Sequence, residues 1–308
     1  MLVIAHGLVG RTDLPIPEWL FGWAAAVVLV VSFVALAVLW PKPRLQDGGF
    51  RPSPDWLSRA LGNRVVEVVC GIIGVALLLL VVYSGLSGAQ VATANFAPSF
   101  VFVVFWVGLV PASILLGDVF RVFNPWRALG QTVARISQAA AREPLPAPLA
   151  YPDRLGYLPA AAGLFAFTAL ELVASNGSEP KNVAIATLVY SAVTFVAMAL
   201  YGVEAWIARG EAFSVYFGLF ARISPWTWRA GRLGLRKPLS GLAGFKPLPG
   251  SVLVLAMMIG TVSFDGAAEA PIWTKTVPHV ADAFRGSGSP RRRRWRRPSS
   301  SACALAWR

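Results

Sequence analysis

Three carboxylates stand within or beside apolar stretches of this 308-residue chain. An ionised group there costs about 2.5 kcal/mol or more to place in hydrocarbon, so each needs a reason to be present. Glu171 lies in the run Phe165–Ala174 and has no basic neighbour in sequence. It is the leading single candidate for a catalytic or solute-binding group; the alternative is a neutral or hydrogen-bonded carboxyl close to a membrane surface. Glu67 follows Arg64, and Glu204 precedes Arg209, so both carboxylates are expected to pair at an interface. The two histidines, His6 and His279, could join Asp265 and Glu269, or Asp13, Glu18, Glu179 and Asp282, as nitrogen and oxygen ligands of zinc or a similar ion. No His pair at helical spacing fixes such a site, and two exposed histidines without a further role are the simpler reading.

Other chemistry is excluded by its missing parts. Cys70 lies inside an apolar run and Cys303 near the end of the chain, which gives neither a disulfide framework nor a thiolate cluster. His6-Gly7-Leu8-Val9-Gly10 resembles the oxyanion-hole stretch of some esterases, but no Gly-x-Ser-x-Gly elbow supplies a nucleophile. There is no P-loop and no dinucleotide fingerprint.

The elements that must position these residues are apolar runs at Trp19–Trp40, Val65–Ser84, Phe100–Gly117, Tyr157–Ser175, Val183–Ile207 and Pro249–Phe264. About 20 apolar residues in a helix match the ~30 Å hydrocarbon core of a bilayer. Ala24–Leu39 is apolar on every side, as expected where lipid rather than a protein core surrounds the helix. The fold class is therefore all-α: a polytopic membrane helix bundle with six spans. Gly71 and Gly74 in the second span read as positions where another helix packs closely.

The net charge of +13 is a topology signal once it is located. Residues 285–308 hold eight arginines and no acid, which leaves a net of +5 for residues 1–284. Loops Pro41–Arg64, Asp118–Gly156 and Ala208–Leu248 carry seventeen basic residues, whereas Met1–Glu18, Gly85–Ser99 and Asn176–Asn182 carry only Arg11 and Lys181. The positive-inside rule then puts the N-terminus outside the inner (plasma) membrane and the three basic loops in the cytoplasm, with the bilayer and anionic headgroups as partners and no nucleic acid. No conventional signal peptide is evident ahead of the first span.

Within those loops three segments share a pattern: Ser53-Pro54-Asp55-Trp56 with Arg59, Asn124-Pro125-Trp126-Arg127, and Ser224-Pro225-Trp226 with Arg229. Ser or Asn before Pro suits a helix N-cap and first turn. Trp56, Trp126 and Trp226 are expected at headgroup level, and Arg59, Arg127 and Arg229 within reach of lipid phosphate. The pattern is explained equally by three tandem hairpins or by convergence of short interfacial helices. Phe213–Ile223, with Phe213, Tyr216, Phe217 and Phe220 at helical spacing, is expected to be another interfacial helix, as is the stretch bearing Leu129, Val133 and Ile136.

The chain divides into a transmembrane helical domain, residues 1–284, and a basic low-complexity tail, residues 285–308. The Arg/Ser/Pro mixture of that tail is what GC-rich DNA yields out of frame, so the native frame is expected to be lost near Phe284, with further spans missing; the alternative is a disordered basic tail.

Ala5–Arg11 and Asp13–Phe21 resemble the N-terminus of the bacterial multi-pass membrane proteins named fenitrothion hydrolase. Phe120–Gly130, Tyr201–Phe220, Pro238–Leu242 and Met258–Asp265 resemble that family too. The likeness covers roughly residues 1–284 and not the tail. It implies hydrolysis of an organophosphate triester, chemistry that typically uses a divalent metal to generate hydroxide. It brings no catalytic motif that can be placed on these residues. The residues alone also suit a transporter or channel-like protein whose path passes Glu171, Thr168, Tyr190, Ser191 and Thr194, or a structural membrane subunit.

Overall fold

In hydrocarbon every backbone N–H and C=O must pair within the protein, so long apolar runs become helices. The structure, a computed structural model, describes residues 18–39, 45, 49–141, 146–174, 176–268, 273 and 276. In chain order the elements are α1 (Glu18–Leu39), β1 (Arg51–Pro52), α2 (Asp55–Leu61), α3 (Arg64–Ser87), α4 (Phe96–Pro98), a π-helical stretch (Ser99–Gly108) and α5 (Leu109–Leu116). Then follow α6 (Val119–Phe123), α7 (Pro125–Ala140), α8 (Leu158–Leu172), α9 (Pro180–Tyr201), α10 (Val203–Arg209) and α11 (Ala212–Ala221). The last are β2 (Trp226–Arg229), β3 (Arg232–Leu235), α12 (Ser240–Ala243) and α13 (Ser251–Ala268).

Among the described residues, five helical segments are long and apolar enough to cross a membrane: Gly22–Leu39, Asp55–Ser87, Phe96–Leu116, Pro180–Tyr201 and Ser251–Ala268. The fourth expected span is the helix α8, but its 15 residues reach about 22 Å, short of the ~30 Å core. The fifth expected span stops early. Gly202, at φ +85°, breaks the chain between α9 and α10 in a conformation that a side chain would strain. Between their ends the outward faces of α3 and α9 are apolar, with Val68, Ile72, Leu79, Leu188, Val193 and Val196 all exposed. Aqueous solvent would penalise such surfaces, and lipid would not.

Two compact units divide the chain, Met1–Ile259 and Gly260–Arg308. In the second, the described residues are the end of α13, Trp273 and Thr276, with Phe264 and Trp273 in edge-to-face contact at 5.4 Å. The proposed tail, residues 285–308, lies outside the described residues.

The core of the first unit is aromatic and centres on α11. Phe213 meets Phe105 at 4.8 Å, Tyr190 at 5.2 Å and Phe167 at 5.3 Å. Phe217 meets Phe120 and Phe105, and Tyr216 stacks on Trp106 at 4.4 Å. This corrects the interfacial reading of Phe213–Ile223. Val215, Leu219, Ala212 and Ala221 make the other faces apolar too, so α11 is buried on nearly every side. On α7, by contrast, Val133 and Ile136 are exposed.

A small sheet also departs from the all-α expectation. Strands β1, β3 and β2 pair antiparallel in that order, with Trp226 opposite Leu235 and Arg51 opposite Leu235 on the other side. The third Ser/Asn-Pro-Trp segment is therefore a strand and not a helix. Trp226, Thr227 and Trp228 favour extended backbone, and Ala230-Gly231, both at positive φ, turn the chain in a two-residue hairpin. Pro52 sits on an edge strand, where its missing N–H is tolerated. Arg236 closes this end by donating to the carbonyls of Ala221, Arg222 and Ser224, capping α11.

Three glycines let α3 touch its neighbours. A Cβ on Gly71 would lie 3.0 Å from Ala128 Cβ, one on Gly74 1.9 Å from the Phe123 carbonyl oxygen, and one on Gly85 2.6 Å from Ala184 Cβ. Gly74→Ala is therefore expected to destabilise the protein by about 1–3 kcal/mol through overpacking against backbone. Gly260→Ala, with open space around it, should be neutral or stabilising. Thermal unfolding in detergent checks this, and equal midpoints for both variants would contradict the packing.

Candidate functional site

Two helix N-termini meet inside the first unit. Asn124, extended at ψ 111°, caps α7: its Oδ1 accepts from Arg127 N at 2.9 Å, and Pro125 occupies the first helical position. Glu211 caps α11: its Oε1 accepts from Phe213 N at 3.0 Å and its Oε2 from Ser214 N at 2.7 Å. The first N–H groups of each helix are thus taken by its own cap, and the positive end of the α11 dipole favours negative charge on Glu211.

The Glu211 carboxyl group itself is 0% exposed. Asn124 Nδ2 donates to its Oε2 at 3.2 Å and to Ser214 Oγ at 2.9 Å. The Tyr190 hydroxyl donates to Oε1 and itself accepts from Ala212 N at 3.1 Å. Four donors thus occupy a group with about four acceptor sites, which is what a buried carboxylate requires. Tyr190 is the eleventh of the 22 residues of α9, about 16 Å from either end. The cluster therefore lies level with the middle of a helix long enough to span a bilayer.

Trp126 closes one side. Its ring lies parallel to Phe213 at 6.2 Å, and its Nε1 donates to Ser191 Oγ at 2.8 Å. Ser191 passes the chain of hydrogen bonds to the Thr187 carbonyl at 2.7 Å, and Thr194 lies beside Tyr190. Trp126, expected at headgroup level, is instead 5% exposed in the core. Gly71 admits Ala128 of α7 close against α3, and Gly74 admits Phe123 at the end of α6.

Arg127 does not reach for lipid phosphate either. Its guanidinium bridges two carboxylates, Nη1 to Glu67 Oε1 at 2.6 Å and Nε to Glu204 Oε1 at 2.9 Å. Glu204 also accepts from Gln131 at 2.7 Å and faces Arg121 at 3.7 Å. Both carboxylates expected to pair do so, but with Arg127 on α7 rather than with Arg64 and Arg209. Arg209 pairs with Asp153 at 2.9 Å. Because Glu67 and Glu204 remain half in solvent, each bridge contributes about 1 kcal/mol or less and acts mainly to fix α7 against α3 and α10.

The remaining expected residues are scattered. Glu171, in the last turn of α8, is half-buried and near enough to Tyr216 to act on it electrostatically. Thr168 is buried and donates to the Phe165 carbonyl. Neither joins the Glu211 cluster, whereas Tyr190, Ser191 and Thr194 do. Trp56, Arg59 and Arg229 are exposed, and Trp226 is half-buried in β2. Among the described residues no group of three or more His, Cys, Asp or Glu side chains is placed to hold a metal ion. His6, His279 and Glu269 lie outside those residues, and Asp265 stands on α13.

Sequence reasoning passed over Glu211 because it falls in a loop rich in basic residues. The available signal was local: an acid directly before an unbroken apolar helix, with Ser three positions later.

Asn124→Ala removes a cap and leaves a buried carboxylate short of a donor, so a loss of about 2–4 kcal/mol is expected. Asn124→Asp keeps the cap acceptor but sets a second carboxylate against Glu211, and it should cost at least as much. Thermal unfolding of both variants in detergent checks this; an Asp variant as stable as the parent would contradict the geometry.

Comparison of the chain with protein-family models, with curated proteins and with solved structures gave no match.

Proposed function

We propose that this chain is a polytopic membrane transporter of a small solute, with the Glu211–Asn124–Tyr190 cluster as the polar centre on the solute's path. The observation that carries the reading is the meeting of two helix N-termini around one buried carboxylate at mid-helix depth. Broken helices with interior N-termini are an arrangement membrane transporters use to bind charge where a continuous helix offers no free N–H. The break at Gly202 and the π-helical stretch Ser99–Gly108 beside the same core support it, since both interrupt regular helix where packing alone favours continuity. Asn124, 1% exposed, stands between the cleft at the Arg-rich end, which it lines, and Glu211, to which it donates, so its side chain is the element that would have to move for a solute to pass. In this reading that end faces the cytoplasm, the N-terminus lies outside, and the membrane is the inner membrane, in keeping with the basic loops.

The test is efflux from proteoliposomes loaded with a defined mixture of small carboxylates, phosphates, amines and sugars, read by mass spectrometry of the external medium. At least one solute should leave faster than from protein-free liposomes. Glu211→Gln should slow that flux about tenfold or more while the variant remains folded. No accelerated solute from folded protein would overturn the transport reading. Metal-dependent nitrophenol release from fenitrothion by the same preparation would replace it with the phosphotriester hydrolysis that the family resemblance implies.

A further inference from the structure

The cleft at the Arg-rich end has a volume of about 350 Å³ and lies between α3, α6 and α7. That is within the range of ligand sites, about 300–1,000 Å³. Its two ends differ in chemistry. Toward the start of α3 it is lined by Arg64, Glu67, Arg121, Arg127, Gln131 and Arg135. Deeper along the same helix the wall is Val68, Ile72, Val75, Ala76 and Leu79, one stripe at helical spacing. From Arg64 to Leu79 the stripe runs about 22 Å along the helix axis.

The arginines are not all consumed. Arg127 is held by Glu67 and Glu204, and Arg121 by a long contact to Glu204, with Asp118 near enough to act on both. Arg64 has no ion pair among the described residues, and Arg135 makes one hydrogen bond, to Gln131 Oε1 at 3.3 Å. Both are exposed. Two guanidiniums outside any ion pair among the described residues, at the mouth of an apolar groove, match a molecule with an anionic head and a hydrocarbon tail. Guanidinium suits phosphate in particular, since its donors pair with two oxygens at once.

We infer that this cleft binds a phosphate-headed amphiphile, the head between Arg64 and Arg135 and the tail along Val68–Leu79. The same chemistry fits an anionic phospholipid entering from the bilayer or a free alkyl phosphate. The inference goes beyond the transport reading and does not require it, because occupancy is read without any flux.

The probe is dodecyl phosphate, titrated into the full chain in a neutral maltoside detergent, with bound copies counted by native mass spectrometry. One saturable copy is expected. Its affinity should fall about tenfold or more in the Arg64→Gln/Arg135→Gln double variant, both positions being exposed and outside the packed core. Ala76→Phe, which fills the apolar half, should weaken it similarly without touching a charge. Inorganic phosphate should bind at least tenfold more weakly than dodecyl phosphate, as it lacks the tail. Phosphatidylglycerol retained in preference to phosphatidylcholine from mixed-lipid nanodiscs would name the bilayer as the source. Dodecyl phosphate binding without that preference would name a free amphiphile. Binding no tighter than that of dodecyltrimethylammonium, or unchanged in both the double variant and Ala76→Phe, would overturn the inference.

Discussion

Everything at the centre of this protein depends on one carboxylate being fully paired. Glu211 has no exposed surface, and a carboxyl group in such a place is tolerated only when its oxygens are hydrogen-bonded. The donors to them come from three separate parts of the chain: Asn124 ahead of α7, Tyr190 within α9, and the first N–H groups of α11. Satisfying the charge therefore fixes where three helices stand. The aromatic core then packs around that fixed point, with Phe213 two residues after the carboxylate and in contact with Phe105, Phe167, Tyr190 and Trp126.

The second constraint is close approach. Gly71 and Gly74 let the Phe123–Ala128 segment lie directly on α3, which is what brings Asn124 to the level of Tyr190. Small residues serve this purpose in hydrocarbon, where apolar surface alone gives little drive for helices to associate. The Arg127 bridge to Glu67 and Glu204 fastens the same joint from the more solvated side. Charge, small residues and caps thus act on one segment, Asn124–Arg127, from three directions.

The sequence was legible where physics is local and one-dimensional. α1, α3, α9 and α13 follow from the length and hydropathy of their runs, and the cap at Asn124 follows from Asn-Pro ahead of an amphipathic stretch. It was misleading where the same local signal serves two environments. Ser224-Pro225-Trp226 has the composition of a helix start, yet the Ala230-Gly231 turn and pairing with β3 make it a strand. Trp126 and Arg127 have the composition of an interfacial anchor, yet their partners are Ser191, Glu67 and Glu204, between 60 and 77 positions away in sequence. Glu211 had a local signal as a helix cap, but not as a buried centre. In sequence it stands between Arg209 and an apolar helix, and only the fold shows that its neighbours in space are Asn124 and Tyr190.

The most direct test of this account is a double-mutant cycle between Asn124→Ala and Glu211→Ala, read by equilibrium unfolding of the full chain in detergent. If Asn124 and Glu211 share a buried hydrogen bond that joins the two helix starts, the effects are non-additive, with a coupling of about 1 kcal/mol or more. Additivity within about 0.5 kcal/mol would mean the two side chains do not act on one another, and the carboxylate would lose its place as the centre of the fold.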